Sequence, residues 1–367
     1  IVRELGKFIE NNSLYKGLKP IHWCARCRTA LAEAEVEYAD HESPSIYVKF
    51  PVQDNLKDTF PKLKGKSVSV IIWTTTPWTL PANLAICLHP KLKYSAIEAG
   101  EEVFIIAEEL VNPVMEKCDI KSFKTLQTFK GESLEGVVCR HPFIERKSPV
   151  ILGEHATLEQ GTGAVHTAPG HGQEDYEIGM KYGLDIYNPV DDGGFFIDSV
   201  EQFAGMNVWK ANPEIIKKIS ENGYLLKEEK TAHSYPHCWR CKSPILFRAT
   251  AQWFISMETR GLRQKALEEI KKTKWVPEWG MDRIYEMVEN RPDWCVSRQR
   301  AWGVPITVFC CKECKEFLKG KEISEHIAEM VEKDGTDIWF EKDAADLLPD
   351  GTTCSKCGSK DFRKETD

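Results

Sequence analysis

The stretch GTGAVHTAPGHGQEDY, residues 161–176, is the most informative part of the sequence. It begins with an apolar run, residues 164–167, which predicts a short strand that delivers His166 into a loop rich in glycine and proline. Glycines at 161, 163, 170 and 172 permit positive φ and let a ligand approach the backbone closely. Taken alone, the stretch is equally compatible with a tight turn that caps a helix.

A carboxylate pair, Glu174 and Asp175, follows the loop. Residues 173–182 predict a helix that ends before Gly183, so Asp175 lies in the first turn, where the helix dipole favours its ionised form. A fixed carboxylate beside exposed amides and an imidazole suits a substrate that carries an ammonium group and polar oxygens.

The composition is that of an ordinary globular chain. Its 367 residues, 42% hydrophobic and 29% charged, are enough for two or three domains. The sequence has no long apolar run and no signal-peptide pattern, so we expect a cytoplasmic protein without a membrane span. The net charge of −7 excludes a uniformly basic nucleic-acid binder but not a local basic groove. A first residue other than Met predicts a piece of a longer protein.

The spacing of the 13 cysteines predicts metal sites. Two thiolates at C-x-x-C spacing bind one tetrahedral zinc, so two such pairs complete a closed structural site. The pairs are Cys24/Cys27, Cys238/Cys241, Cys311/Cys314 and Cys354/Cys357. The last two pairs are close enough in sequence to form one zinc ribbon. The first two occur in similar contexts, HWCARC and HCWRC, and predict a second site with a domain inserted between its halves.

The other cysteines and the nearby histidines are assigned different roles. A redox C-x-x-C requires a βαβ context that the sequence lacks. Cys310 is an alternative ligand to its neighbour Cys311. If four cysteines complete the coordination shell of each metal, His22, His233 and His237 are not ligands. Cysteines outside such pairs typically occupy buried positions as small hydrophobic residues. The isolated cysteines are Cys87, Cys118, Cys139 and Cys295.

Short β-like runs dominate the first half of the chain. Residues 67–74 predict a largely buried strand that runs into TTTPWTLPAN, residues 74–83, where two prolines break it. Further strands are predicted at 94–97, 103–107, 137–139 and 164–167, so residues 45–205 are expected to form a barrel or a sandwich. Residues 31–38 fit a helix and a strand equally.

Two helices are predicted further along the chain. Asn212 followed by Pro213 predicts the cap and first position of a helix that ends at Gly223. Residues 259–272 predict a second helix, and a segment rich in tryptophan and arginine follows it.

Five stretches together resemble the class I aminoacyl-tRNA synthetases of the isoleucine/valine/leucine group. They are KPIHWCARCRTALAEAEVEY (19–38), IIWTTTPWTLPANLAI (71–86), GTGAVHTAPGHGQEDYEIG (161–179), HCWRCKSPILFRATAQWF (237–254) and RPDWCVSRQRAWGVPI (291–306). The bacterial isoleucyl type is favoured within the group. Thr76 stands where the valyl and leucyl types carry arginine, Trp78 replaces an acidic or polar residue, and His166 replaces a lysine of the valyl type.

The resemblance implies a mixed α+β, mainly β fold, in which an editing β-barrel is inserted in a synthetase beside zinc-ribbon elements and a partial, helical connecting region. The implied parts are a zinc-knuckle stem at 1–44, the barrel at 45–210, a return stem with the second knuckle at 211–260, the connecting region at 261–307 and a second zinc ribbon at 308–367. The sequence shows no HIGH-type or KMSKS-type motif. ATP binding and amino-acid activation are therefore expected only in the full-length enzyme.

The implied activity is hydrolysis of valine misattached to the 3′ end of tRNA(Ile), by a monomer. One methylene separates isoleucine from valine and is worth about 1–3 kcal/mol in an apolar pocket, and this amino-acid pair is itself the reference case for that figure. Asp175 would bind the α-ammonium group, and His166 and Trp78 would form walls that exclude isoleucine. The residues expected to bind the terminal adenosine, the ester or the attacking water are Thr74, Thr75, Thr76 and Thr79, with Asn83 assisting in positioning.

Alternatives remain open. The threonines and Trp78 also fit a capped strand end and core packing, and His166 also fits a general base. Trp294, Arg298, Gln299 and Trp302 either lie near the synthetic site, as the family implies, or serve packing. For the whole chain, the alternatives are a valyl-type editing domain that hydrolyses Thr-tRNA(Val) and a non-catalytic zinc-ribbon module that binds tRNA.

Overall fold

A computed structural model describes residues 1–54, 56, 60–300 and 303–366 of the chain. The chain forms two compact units, a larger one over Lys19–Thr250 and a smaller one made of Ile1–Leu18 and Ala251–Asp367. Among the described helices, none combines the length and apolar character needed to span a bilayer.

The strands are, in chain order, β1 Leu14–Cys24, β2 Thr29–Ala30, β3 Val36–Pro51, β4 Ser67–Thr74, β5 Ala85–Leu88, β6 Lys93–Ala99, β7 Glu102–Ala107, β8 Lys124–Lys130, β9 Val138–Arg140, β10 Lys147–Leu152, β11 Ala164–Thr167, β12 Leu225–Cys238, β13 Leu246–Ile255, β14 Trp294–Cys295, β15 Phe309–Cys311 and β16 Phe362–Lys364. The α-helices are α1 Val2–Glu10, α2 Val111–Lys117, α3 Gln173–Lys181, α4 Val208–Glu221, α5 Leu262–Lys272, α6 Gly280–Glu289, α7 Lys321–Asp334, α8 Ile338–Glu341 and α9 Ala344–Leu347. Short 3₁₀ helices occupy Glu33–Glu35, Pro61–Leu63, Pro77–Ala82, Glu108–Leu110, Gly131–Leu134 and Thr259–Gly261.

The larger unit contains two open sheets, with strand orders β12-β3-β4-β7-β6-β8 and β11-β5-β10-β9. The predicted mixed α+β class is confirmed, but the predicted closed barrel is wrong, because no pairing among the described residues joins the end strands β12 and β8. The reason lies in β12, which pairs with β3 as far as Cys238 opposite Val36. The edge strand β12 thus continues as a two-stranded ribbon with β3 as far as Cys238. A closed barrel would instead require β12 to pair with the opposite edge strand β8.

Strand β4 is buried on both faces, as its continuous apolar run predicts. Val70 and Ile72 belong to a core cluster that includes Ile215 of α4. Ile71 points to the other face, into a cluster that includes Val114 of α2. Each isoleucine is fully buried, which stabilises the fold by about 2 kcal/mol per side chain. Thr74, the last residue of β4, is therefore held in a fixed position.

Helix α4 begins four residues before the predicted cap. Asn207 is the cap, and the predicted cap Asn212 lies inside the helix, followed by Pro213. The Asn-Pro signal was outweighed because Val208 and Ile215, two turns apart, lie on one buried face that extends upstream of the proline. The predicted end at glycine is confirmed, since the residue after Asn222 has a φ of +75°.

Two other segments differ in detail from the prediction. The ambiguous residues 31–38 contain the 3₁₀ turn Glu33–Glu35 and then enter β3. The predicted helix over 259–272 is confirmed as a 3₁₀ turn followed by α5, with the change marked by Gly261 at a φ of +68°. The strands predicted at 67–74 and 164–167 are confirmed with those bounds.

The smaller unit packs α7 and α8 around the β15–β16 pair. Phe309 and Trp339 are buried with their ring centroids 4.9 Å apart, and the Trp339 indole N–H donates to the Glu365 carbonyl at 2.8 Å. Cys311 lies opposite Phe362 in the strand pair, so the sheet places the Cys311 thiol beside this core.

Candidate active site and metal centres

The turn after β4 holds a chain of threonine hydroxyls. The Thr76 amide donates to Thr74 Oγ1 at 3.1 Å, and the two hydroxyl oxygens are 3.2 Å apart. Thr79 donates its hydroxyl to the Thr76 carbonyl at 2.8 Å, with its Oγ1 3.4 Å from Thr76 Oγ1. Pro77 begins the 3₁₀ helix that folds Thr79 back over Thr76. Thr75 and Thr76 remain partly exposed, so the turn itself is accessible to a ligand.

Strand β11 brings His166 to the same turn. It pairs antiparallel with β5, which places His166 opposite Ile86, and His166 Nε2 lies 2.8 Å from Thr79 Oγ1. The Thr79 hydroxyl carries one proton, and the tautomer that satisfies both contacts has Thr79 donating to the Thr76 carbonyl and His166 Nε2–H donating to Thr79 Oγ1. The Nδ1 atom is then unprotonated and faces Asn83 Nδ2 at 3.5 Å. In this tautomer, Nε2 has no lone pair with which to act as a base.

Burial keeps the histidines of this region uncharged at neutral pH. Desolvation, and secondarily the proximity of His171, lowers the pKa of His166 to about 4. Desolvation likewise lowers the pKa of His171 to about 4 and that of His141 to about 3. These imidazoles therefore contribute shape and hydrogen bonds to the region rather than positive charge.

Asn83 connects the turn to the second sheet. It is fully buried, its Nδ2 donates to the Ala85 carbonyl at 2.8 Å, and its Oδ1 accepts the Ser148 hydroxyl at 2.6 Å. Arg146 Nη1 donates to the carbonyls of Pro81 and Asn83 at 2.8 and 2.9 Å. These bonds satisfy the polar backbone that the two prolines of the turn leave without regular partners.

Asp175 is fixed at the end of β11. It lies in the first turn of α3, and its Oδ2 accepts the Ala168 amide at 3.0 Å, two residues beyond His166. Desolvation raises the pKa of this carboxyl to about 6; the Ala168 bond opposes the shift, and the charge of Glu174 adds to it. Asp175 is thus ionised at neutral pH in a place that disfavours its charge, so a bound cation would be stabilised by it.

The glycines of the loop act differently from the prediction. Gly161 and Gly163 do adopt positive φ, +80° and +75°. Gly170 and Gly172 do not. A Cβ on Gly170 would lie 2.2 Å from the Tyr187 carbonyl oxygen, and one on Gly172 would lie 3.0 Å from Asp175 Oδ2. At Gly170 and Gly172, the atoms that lie close to the backbone therefore belong to other residues of the protein and not to a ligand.

Trp78 lies in the interior behind the turn, with 2% of its surface exposed. Its backbone N–H donates to Asn212 Oδ1 at 2.9 Å. Its ring meets the rings of His171 and Trp209 edge-on, at centroid distances of 5.0 and 6.1 Å. Of the predicted site residues, Thr74, Thr76, Thr79, Asn83 and His166 form one continuous set of contacts, whereas Trp78 contacts Asn212, His171 and Trp209 instead.

The cysteine pairs form two clusters, each with its sulfur atoms within 4.8 Å of one another. The larger unit holds Cys24, Cys27, Cys238 and Cys241, and the smaller unit holds Cys311, Cys314, Cys354 and Cys357. In the first cluster, Cys24 and Cys241 are 3.4 Å apart at sulfur. In the second, the Cys311–Cys357 and Cys314–Cys354 distances are 3.6 and 3.5 Å. Each cluster can hold one metal ion.

The same backbone turn recurs in all of these pairs. The residue after each second cysteine has a positive φ, between +50° and +74°. These residues are Arg28, Lys242, Lys315 and Gly358. Only one of them is glycine, so the conformation is imposed on residues that rarely adopt it. A shared turn of this kind points both sulfurs of a pair to one side.

The remaining cysteines and histidines lie outside the clusters. Cys310 Sγ contacts the Lys315 carbonyl at 3.3 Å, so Cys311, not Cys310, faces the second cluster. His22 packs on Phe247, and the other two histidines bond to Ser43 and to a backbone carbonyl. Cys87, Cys118 and Cys139 are buried, as predicted, whereas Cys295 is partly exposed.

The Trp- and Arg-rich segment lies in the smaller unit. Trp294 is 48% exposed and pairs with Ile255. Arg298 donates to the Ser297 carbonyl at 2.7 Å, and Gln299 donates to Gln252 Oε1 at 2.9 Å. Trp302 lies outside the described residues.

Comparison with known proteins identifies the family. The family described as tRNA synthetases class I (I, L, M and V) matches residues 1–367. The chain belongs to this family. Among the relatives of this class I synthetase chain are the isoleucine–tRNA ligases of Syntrophotalea carbinolica and Geobacter sulfurreducens, each 57% identical over 365 residues. The matches cover 100% of this chain, which spans 39% of the length of either relative.

A solved structure resembles the class I synthetase chain more weakly. The P. falciparum cytosolic leucyl-tRNA synthetase editing domain is 12% identical, with a TM-score of 0.40, over 52% of this chain and 100% of that chain. A similarity of this size does not support an argument about fold or activity.

Several residues that hold the site were missed by sequence reasoning. Ser148 and Arg146 bond to the turn from a strand and loop more than 60 residues away, and no local pattern marks them. The sequence pattern marks Asn212 as a helix cap, whereas in the structure its Oδ1 accepts the Trp78 backbone N–H. Its position on the buried face of α4 was the signal that could have shown this.

Proposed function

We propose that this class I synthetase chain is the editing part of an isoleucine–tRNA ligase and hydrolyses valine from misacylated tRNA(Ile). The observation that carries the proposal is the 2.8 Å contact between Thr79 Oγ1 and His166 Nε2, with Asp175 bonded two residues beyond the histidine. Two distant motifs thereby supply hydroxyls, a neutral imidazole and a carboxylate to one region. The two isoleucine–tRNA ligases at 57% identity support the choice of amino acid.

Asp175 would bind the α-ammonium group of the aminoacyl ester. A carboxylate held by one backbone amide leaves its second oxygen for a ligand, and desolvation raises the pKa of this carboxyl to about 6, so its charge is poorly compensated among the described residues. An ammonium group supplies that charge through a charge-assisted hydrogen bond. Because the carboxyl is fixed to the end of β11, the ester would be oriented toward the threonine turn.

The partly exposed threonines would orient the ester and a water molecule. The water oxygen attacks the ester carbonyl, the bond to the terminal ribose oxygen breaks, and one proton passes to that oxygen, giving valine and free tRNA. With its proton on Nε2, His166 would act as a wall and a hydrogen-bond donor to Thr79 rather than as the base. A hydroxyl of the terminal ribose is the group we expect to help position the water. No covalent intermediate is involved.

Size selects the substrate in this proposal. A synthetic pocket that accepts isoleucine discriminates against valine by only about 1–3 kcal/mol, so a second, smaller site is required. His166, supported through Thr79 and Asn83, would limit the space beside the turn. Trp78 would support the turn from the interior, where its ring packs edge-on against His171.

The two cysteine clusters would each hold a structural zinc. Four thiolates at about 2.3 Å from a tetrahedral zinc lie about 3.8 Å from one another, and the observed contacts of 3.4–3.6 Å fit this closely. Four sulfur ligands leave no open position, so zinc would stabilise the turns and take no part in hydrolysis. ATP would bind only in the remainder of the full-length enzyme.

The direct test replaces Asp175. We expect Asp175→Ala to lower kcat/KM for deacylation of Val-tRNA(Ile) about 10- to 100-fold, because a charged hydrogen bond of roughly 1.5–3 kcal/mol is lost. Glu174→Gln is the matched control, since Glu174 is the exposed carboxylate next to it. Equal rates for the Asp175→Ala variant and the wild type would refute the assignment of Asp175.

A further inference from the structure

The larger unit contains a second candidate site, a surface cavity of about 760 Å³. Its wall includes Arg140, His141, Arg146, Lys147 and Tyr224. None of the threonines, nor His166 or Asp175, lines it. Its volume is much larger than one phosphate or one water cluster requires and is in the range of sites that hold a nucleotide-sized ligand.

The cavity concentrates positive charge in a chain whose net charge is −7. Arg140 and Lys147 lie directly opposite each other in the β9–β10 pair, an arrangement that is destabilising for like charges. Within the described part of the chain, neither forms an ion pair with a carboxylate. Glu145 is the one acidic residue on the described wall, against three cations there. Such an arrangement persists at a cost to stability and is explained if an anion binds.

An aromatic ring lies beside the cations. The Arg140 guanidinium stands over the Tyr224 ring, 5.5 Å from its centroid, and donates a hydrogen bond to the Tyr224 hydroxyl. Aromatic and guanidinium planes next to a basic groove are the features on which the bases of single-stranded nucleic acid stack. The combination is more specific than positive charge alone.

The wall of the cavity also contacts the candidate active site from behind. His141 Nε2–H donates to the Leu80 carbonyl at 2.8 Å, and Arg146 donates to the carbonyls of Pro81 and Asn83. The loop between β9 and β10 thus has one face on the cavity and the other on the backbone of the threonine turn. A strand bound in the cavity would lie next to the structure that positions the hydroxyls.

We propose that this cavity binds the phosphate backbone of an RNA strand, with Arg140 and Lys147 contacting phosphate oxygens and Tyr224 stacking on a base. The proposal rests on the proposed function, which brings an aminoacylated RNA to this unit. Free phosphate or a free nucleotide shares the same chemistry, and the test separates these sources from RNA.

The experiment measures binding of a fluorescently labelled tRNA(Ile) transcript to the chain by anisotropy, across a range of KCl concentrations. We expect the double variant Arg140→Gln/Lys147→Gln to weaken binding about tenfold and to reduce the slope of log K against log salt by about 1.4, the value for two phosphate contacts on a single strand. Tyr224→Ala should weaken binding at every salt concentration, and Tyr224→Phe much less. Lys121→Gln, at an exposed lysine of the same unit outside the cavity, should change neither quantity.

Further measurements separate the possible outcomes. The double variant should unfold at the same temperature as the wild type or higher, because opposed like charges are removed. Its kcat for Val-tRNA(Ile) should stay within twofold while KM rises; weaker RNA binding without any ester hydrolysis in the wild type would refute the proposed function but not this site. Unchanged affinity and slope in the double variant, or a wild type that does not bind the transcript, would overturn the proposal. So would a titration in which the double variant loses only binding of inorganic phosphate or ATP.

Discussion

The threonine–histidine site and the cysteine clusters both join residues that are distant in sequence, but different forces hold them together. Each cluster brings together two local C-x-x-C turns whose sulfurs converge to 3.4–3.6 Å, a geometry that suits a shared ion. The site depends on hydrogen bonds within the protein, centred on the buried Asn83 and on the Thr79–His166 contact. Removing an ion should therefore disrupt the clusters, whereas removing a single buried amide should disrupt the site.

The largest effect is expected from loss of a cluster ligand. With one zinc in each cluster, as proposed, Cys311→Ser should remove one zinc ion per chain and lower the free energy of unfolding of the smaller unit by more than about 4 kcal/mol, since a structural metal is lost. Metal analysis combined with thermal unfolding measures both quantities. Cys310→Ser is the matched control, because the neighbouring thiol lies outside the cluster and should leave the zinc content unchanged. Identical zinc loss in both variants would remove the distinction between the two cysteines.

The next largest effect is expected at Asn83. Asn83→Ala leaves the buried Ser148 hydroxyl and the Ala85 carbonyl without their partner, which should cost on the order of 3 kcal/mol in denaturant unfolding without changing the zinc content. Thr75→Ala, in the same turn but partly exposed, should cost less than about 0.5 kcal/mol. Similar losses for the two variants would show that the site does not depend on its buried amide.

The smallest expected effect on stability is a gain, and it is expected at Asp175. A carboxyl whose pKa is raised from 3.8 to about 6 by folding contributes stability that is complete below pH 3.8 and is lost as the pH rises through 6. Asp175→Asn avoids burial of a charge and can still accept the Ala168 amide. It should stabilise the larger unit by about 1–3 kcal/mol at pH 8, with the gain vanishing near pH 4.

The same variant should lose deacylation activity while it gains stability. A loss of activity combined with a gain of stability is expected for a residue whose role is to bind a cation. It is not expected for a residue whose role is packing. Denaturant unfolding at pH 4 and pH 8 tests the sign. A loss of stability at pH 8 would indicate that Asp175 serves the fold rather than a ligand.

Local sequence signals predicted a large part of this architecture. The apolar run of β4 and the short strand β11 were predicted with their observed bounds, because burial on both faces leaves a continuous hydrophobic pattern. The C-x-x-C pairs predicted the membership of both clusters, because each half-site is formed by adjacent residues.

The pairing of strands that are distant in the chain could not be predicted from local sequence signals. Nothing local shows that β5 lies between β10 and β11, or that β12 extends into a ribbon instead of closing a barrel. The contact of Asn212 with Trp78 and the bond from Ser148 to Asn83 depend on that pairing, so their roles could not be derived from single motifs. For Asn212, a local cap signal was outweighed by the tertiary packing of α4.

The most direct test of the central claim compares the rates at which the wild-type chain hydrolyses Val-tRNA(Ile), Ile-tRNA(Ile) and Thr-tRNA(Val). A small site formed by the threonine turn, His166 and Asp175 predicts that Val-tRNA(Ile) is hydrolysed at least about tenfold faster than Ile-tRNA(Ile), since the larger side chain is excluded. It also predicts that Thr-tRNA(Val) is a poorer substrate than Val-tRNA(Ile). Equal rates for Val-tRNA(Ile) and Ile-tRNA(Ile), or preferential hydrolysis of Thr-tRNA(Val), would contradict it.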